Sequence, residues 1–278
     1  MSNLGKIYGR KMNDEYSISA SPNSSLQLSF QAEELFSGIA LNHASPNYKQ
    51  IAKQILMHHK FMQFCTDQQK KQILENITIQ QFYPNQIISA QYEDCDYIQL
   101  VLEGTIRVCT YTLEGKQYIN RFIPVGLLSN IVPLVTRCQF QRHQIAHEFT
   151  TVAKISGPVF LSILKENVEL LYYIFESICH RSLTFFDDHL YQNTQSLRIQ
   201  LARQLVELSN LFALQLEDGI KLKIRLSQEN FADILQTTRQ RINKEFLWLE
   251  REKIAIAKYN QIHILDFNRL QSLTKIKD

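Results

Sequence analysis

The sequence predicts an α+β chain: an antiparallel jelly roll, then a long helix, then a C-terminal winged helix-turn-helix. Three observations carry that prediction. Short β-prone runs broken by Gly and Pro turns fill residues 77–155. One apolar helical stretch runs from Val168 to about Tyr191. Two short capped helices and a hairpin follow between Leu226 and Leu265. A chain of 278 residues supports about two domains, with length for a core in each.

Residues 1–48 are rich in Ser and Asn and weakly periodic, so they read as a loose arm with a short helix near Gln31–Ser37. Residues 49–155 read as the sensory roll. Ile51, Ile55, Phe61, Phe64, Ile73 and Leu74 make its opening stretch, 49–75, helical. From Ile77 the pattern turns to strands. Pro84-Asn85 marks a turn inside Phe82–Ile88. Tyr97–Leu102 and Thr105–Tyr111 flank Glu103-Gly104, which reads as a hairpin. Leu113-Glu-Gly-Lys116 reads as a second hairpin, leading into Gln117–Ile123, and Phe149–Ile155 closes the series. Such spacing indicates a sandwich or jelly roll.

Residues 156–193 read as connecting and dimerisation helices. Ser156–Glu166 forms a short helix. In the long one, Val168, Leu171, Phe175, Ile178, Ser182 and Phe185 alternate three- and four-residue steps, the spacing of a coiled-coil seam. Leu170, Ile174 and Phe186 add apolar surface outside it, so one face can pack on the roll and the other on a twin. Tyr191–Thr194 is the expected hinge, with Asn193 or Thr194 able to cap the helix that follows, 195–211.

Residues 194–278 read as the DNA-binding domain. A strand is expected around Ile220–Ile224. Ser227 is a good N-cap, followed by Gln228 and Glu229 in a first turn, and Phe231, Ile234 and Leu235 form a short apolar stripe. Gln236-Thr237 fills the turn, where many such motifs carry Gly. Thr238 caps a second helix whose Ile242, Phe246 and Leu249 face inward, with Trp248 partly buried beside them. Arg239, Gln240, Arg241, Asn243 and Lys244 remain outside near its N-terminus. These side chains suit base edges in the major groove of double-stranded DNA. Lys258-Tyr-Asn-Gln261 turns a following hairpin, which reads as a wing.

Charge agrees with this division. Net charge is +3, which excludes a polybasic nucleic-acid binder, but residues 195–278 hold 14 Lys/Arg against 10 Asp/Glu, a net +4, leaving −1 for the rest. Five scattered cysteines without a CxxC suggest reduced thiols in a cytoplasmic protein, and no apolar run approaches a membrane span. No Ser/His/Asp order, phosphate-binding glycine loop or carboxylate pair points to an enzyme. Cys138, His143 and His147 could share a metal only if residues 143–147 were helical, so no metal or cofactor is expected.

The order of parts over about residues 50–268 resembles the Crp/Fnr family (cyclic-AMP receptor protein / fumarate–nitrate regulator) of bacterial transcription factors. Thr238-Arg-Gln-Arg-Ile-Asn-Lys244 is similar to that family's recognition helix. Tyr83-Pro-Asn-Gln-Ile, Leu100-Val-Leu-Glu-Gly104, Glu114-Gly-Lys and Phe122-Ile-Pro-Val-Gly126 are similar to landmarks of its cyclic-nucleotide-binding-like roll. The resemblance implies a homodimer on a palindromic operator, with RNA polymerase as a further partner. It implies base or phosphate contacts by Arg239, Gln240, Arg241, Asn243 and Lys244. It also implies backbone contacts by Ser227 and Gln228 and a wing contact by Lys258. The nucleotide pocket departs from the family. Gly126 is followed by Leu127-Leu128 instead of a carboxylate, and Arg142 in Gln139–Gln144 is displaced with no Ser after it. The family's base-reading hydroxyl pair is reduced to Leu183-Thr184, and its clustered iron–sulfur cysteines are absent. The expectation is a regulator that does not bind cyclic AMP. The alternative is a small-ligand or redox sensor acting through a protein partner.

Overall fold

A computed structural model describes residues 47–275; the N-terminal arm and its expected helix lie outside the described residues. The expected helical stretch divides into α1 (Tyr48–His58), a 3-10 turn (Lys60–Phe64) and α2 (Asp67–Glu75). Thr66 interrupts it by forming a capping box with Gln69, which starts α2 afresh.

Eight strands follow: β1 (Ile77–Phe82), β2 (Ile87–Ser89), β3 (Tyr97–Glu103), β4 (Ile106–Tyr111), β5 (Gln117–Ile123), β6 (Leu128–Ser129), β7 (His143–Ala146) and β8 (Thr150–Ser156). A short helix, α3 (Ile131–Thr136), lies between β6 and β7. The strands form two four-stranded sheets, β1-β8-β3-β6 and β2-β7-β4-β5. This corrects one expectation. Glu103-Gly104 is not a hairpin, because β3 and β4 belong to opposite sheets. Gly104 makes the crossing with φ +76°, and a Cβ there would meet the Phe149 carbonyl oxygen at 2.1 Å. The turn after Tyr111 is a hairpin as expected, with β4 and β5 antiparallel.

Strand β3 is buried from Ile98 to Leu102 because it is covered on both sides. Ile98, Leu100 and Leu102 pack with Ile55, Leu56 and Phe160 under the helices, while Val101 faces the sandwich interior with Val152, Ile106 and Ile123. Helix α4 (Gly157–Glu166) closes this core through Phe160, Ile163 and Leu164.

Helix α5 (Val168–Thr194) is the long connecting helix. Asn167 caps it and also donates from Nδ2 to the Phe64 carbonyl and Gln69 Oε1, tying its start to the roll. Leu170, Tyr173 and Ile174 are buried against the roll, and Ile178 packs partly there. Ile178 therefore leaves the expected seam. Val168, Leu171, Phe175, Ser182 and Phe185 are exposed, and Tyr172, Leu183, Phe186 and Leu190 widen their stripe.

After a break at Gln195, α6 (Leu197–Phe212) begins the C-terminal domain. Its N-cap position is Ser196, not Asn193 or Thr194, both of which are still helical and bond back to carbonyls four residues earlier. Then come β9 (Ala213–Leu216), β10 (Gly219–Leu222), α7 (Gln228–Ile234), α8 (Arg239–Arg251), β11 (Ala255–Lys258), β12 (Gln261–Ile264) and α9 (Phe267–Ser272). The sheet order is β11-β12-β10-β9. Leu201, Leu205, Phe231, Ile242, Phe246 and Leu249 form its core, with the Phe231 and Phe246 rings edge to face at 5.1 Å.

Candidate nucleic-acid interface

Helices α7 and α8 form the two limbs of the motif. The Ser227 side chain accepts from the Asn230 amide, and the Asn230 side chain accepts from the Ser227 amide, a reciprocal cap that fixes where α7 starts. The turn between the limbs needs one left-handed residue, and Gln236 supplies it at φ +49°, where the motif more often uses Gly. Thr238 then caps α8, its Oγ1 accepting from the Arg241 amide.

The inward stripe of α8, Ile242, Phe246 and Leu249, is buried as the spacing predicts. Arg239, Gln240, Arg241, Asn243 and Lys244 are all exposed. Arg239, Gln240 and Asn243 line an open groove of about 650 Å³, with Ser227 and Gln228 at the start of α7 and Tyr259 and Asn260 on the wing. Gln228 Nε2 donates to Asn243 Oδ1 at 3.0 Å, linking the two limbs across this groove. Arg241 and Lys244 are exposed outside it. Lys258 is exposed on the wing and pairs with Glu250 of α8 at 3.1 Å. The wing turn has positive φ at both Tyr259 (+53°) and Asn260 (+62°), the conformation that suits a two-residue hairpin.

Arg198 was not legible as part of this arrangement. Its Nε donates to Glu245 at 2.7 Å and its guanidinium stacks 3.9 Å over Trp248, clamping α8 onto α6. Sequence separation of 47 residues hid the pair.

The jelly roll keeps polar chemistry inside. Register across β5-β4-β7 defines alternate rows. Ile123, Ile106 and Ala146 form one inward row; Arg121, Val108 and Gln144 form the next. Gln144 is buried, donates to Asn130 Oδ1 at 2.6 Å and accepts from Gln99. Ser129 Oγ, Asn130 Nδ2 and Gln99 Oε1 are buried without partners. Arg121 shares their face at the edge of the sheet. Burial, then the guanidinium groups of Arg181 on α5 and Arg142 before β7, lower its pKa to about 10, offset in part by Glu207. It stays charged at neutral pH. No acidic residue occurs from Gly126 to Thr136, and Arg142 is exposed. Phe140, two residues before Arg142, is buried against Tyr97. His143–Ala146 is strand, which separates His143 from His147, and no metal-binding group of three His, Cys, Asp or Glu occurs among the described residues. Burial raises the thiols of Cys95 and Cys109, which disfavours the thiolate that redox sensing uses.

Residues 200–273 match the family model described as the Crp-like helix-turn-helix domain. The C-terminal unit is therefore a Crp-like helix-turn-helix domain. The Crp-like fold extends over both halves. FixK2 from Bradyrhizobium japonicum superposes with a TM-score of 0.65 at 16% identity, over 73% of this chain and 99% of that one. A regulator assigned to the crp/fnr family from Eubacterium rectale gives 0.59 at 22%, over 77% and 97%. A CooA mutant from Carboxydothermus hydrogenoformans gives 0.59 at 19%, over 72% and 89%. At these identities the likeness is one of fold. No curated protein sequence matches the chain. No described helix is long and apolar enough to cross a membrane.

Proposed function

We propose that the protein is a cytoplasmic, dimeric transcription regulator that reads a palindromic operator and does not respond to cyclic AMP. The observation that carries the DNA reading is the exposure of Arg239, Gln240, Arg241, Asn243 and Lys244 on α8, three of them lining the groove shared with the wing. Inserted in a major groove, that helix would offer donors and acceptors to base edges, with Ser227, Gln228 and Lys258 as the proposed phosphate-backbone contacts. Thr238 acts by capping the helix that presents them. The exposed apolar stripe of α5 supports a second copy as its occupant, with Phe175 61% and Phe186 67% exposed. Two copies related by a two-fold axis would address half-sites about one helical turn apart. RNA polymerase is the partner such a regulator would meet at a promoter.

The roll interior supports a different effector from a cyclic nucleotide. Arg142 and Arg181 add positive charge near Arg121, and separately the roll interior keeps unpartnered Ser129 and Asn130 atoms, features that suit a small anion. The carboxylate and the Arg-Ser pair of the family's nucleotide pocket are missing from the segments where they belong. Selection of genomic DNA fragments by the purified protein, with and without cyclic AMP, tests this reading. The expected result is one palindromic site recovered equally in both arms. Recovery only with cyclic AMP would overturn the pocket assignment. Binding without steep loss at higher salt would favour a protein-docking surface instead.

A further inference from the structure

The outer face of the β2-β7-β4-β5 sheet carries an apolar patch, and the C-terminal winged-helix domain, called the reader from here on, covers it. Register places Arg107, Phe122 and Ile145 in one outward row and Cys109, Ile119 and His143 in the next. Cys109, Ile119, Phe122 and Ile145 are buried in the same cluster as Leu226, Phe231 and Ile234 of the reader. Helix α7 packs directly on β5. A hydrogen bond completes the contact. His147 Nε2 lies 2.9 Å from the Arg225 carbonyl, which can only accept, so His147 donates there. Its ring also meets Phe122 edge on at 5.1 Å. Arg225 lies two residues before the Ser227 cap, so this bond pins the chain where α7 begins.

In this docked pose the five polar side chains of α8 and the wing groove stay open. The contact therefore does not occlude the DNA-reading surface. We propose that the docking face is a positioning element for DNA reading, with Phe122 and His147 as positioning residues that hold α7 in the pose that reads DNA. The inference rests on the DNA-reading role above. Order imposed on the reader before binding does not have to be imposed during binding. Strand β5 also carries Arg121 inward beside Phe122 outward, so the sensory interior and the docking face share one strand.

The test uses the full chain, the operator recovered with the wild-type protein, and three variants: Phe122→Ser, Phe122→Leu and His147→Ala. Hydrogen exchange at α7, affinity by fluorescence anisotropy and the salt dependence of that affinity are measured together. Phe122→Ser should speed exchange in α7. If the reading pose falls to about a tenth of the population, affinity falls about ten-fold. The salt slope should not change, because the phosphate contacts are intact. Phe122→Leu should restore affinity, and His147→Ala should show the same direction as Phe122→Ser with a smaller loss. Should Phe122→Ser fail to fold, His147→Ala decides alone. Faster exchange with unchanged or higher affinity would overturn the proposal, as would unchanged exchange in His147→Ala. If the wild-type protein selects no DNA, the DNA-reading role falls and this one with it.

Discussion

The reader and the roll handle polar residues in opposite ways. In the reader, the core is apolar (Phe231, Ile242, Phe246, Leu249) and Arg239, Gln240, Asn243 and Lys244 lie outside. In the roll, Gln99, Gln144, Ser129 and Asn130 are buried between the sheets, with Arg121 on the same inner face. A surface that meets a polyanion can keep its chemistry in water at little cost. Inside the roll, by contrast, every unpartnered polar atom costs stability. Ser129 Oγ and Asn130 Nδ2 are such atoms.

The comparison is broken most severely by Phe231→Ala. This side chain is fully buried against Phe246, so its loss should cost about 3–5 kcal/mol. Two-probe urea unfolding should show the reader melting early while the roll persists; a single transition shifted for both probes would mean the two cores are one unit, and an unshifted one would remove the packing assignment of Phe231.

The roll should lose stability in acid. His59 is buried with neither ring nitrogen partnered, and burial lowers its pKa from 6.5 to about 4. The unfolded chain then binds the extra proton first, so the stabilisation is complete above pH 6.5 and declines as pH falls toward 4. The decline amounts to about 3 kcal/mol. Urea midpoints at pH 7 and pH 4.5 measure it, and a His59→Phe variant should flatten the difference. A roll equally stable at both values would remove His59 as the cause.

On the reader surface, Arg239→Ala and Arg241→Ala should each weaken operator binding by about 1–3 kcal/mol where the side chain pairs with a guanine. Lys258→Ala should instead lower the salt slope by about 1. Anisotropy titrations at several salt concentrations separate the two behaviours, and no change in either arginine variant would remove the recognition-helix assignment. The smallest effect is expected from Ser227→Ala, about 1 kcal/mol of stability through loss of the α7 cap. Thermal melting of the reader checks it.

Local signals were legible in the sequence wherever they are local in physics. Ser227 and Thr238 cap through neighbours three residues on, and Ile242, Phe246 and Leu249 share a face because of helical period alone. The same holds for the Leu113–Lys116 turn. Besides Arg198, three features were not legible. Gly104 announces a turn, but whether the next strand returns to its own sheet or crosses to the other depends on what covers β3. Ile178 satisfies a seam by spacing, yet the roll claims it. Asn193 and Thr194 could cap a helix, yet α5 runs through them.

The sequence by itself determined the order of parts, helix α8 and its five outward side chains, because each follows from period, capping and composition within a few residues. Only the tertiary structure decided which strands share a sheet and which arginines meet. Arg121, Arg142 and Arg181 lie in three separate segments, and Arg198 reaches Glu245 across 47 residues. It also decided that the reader docks on Phe122 and His147. Those outcomes depend on burial and charge summed over segments far apart in the chain, and no local pattern encodes that sum.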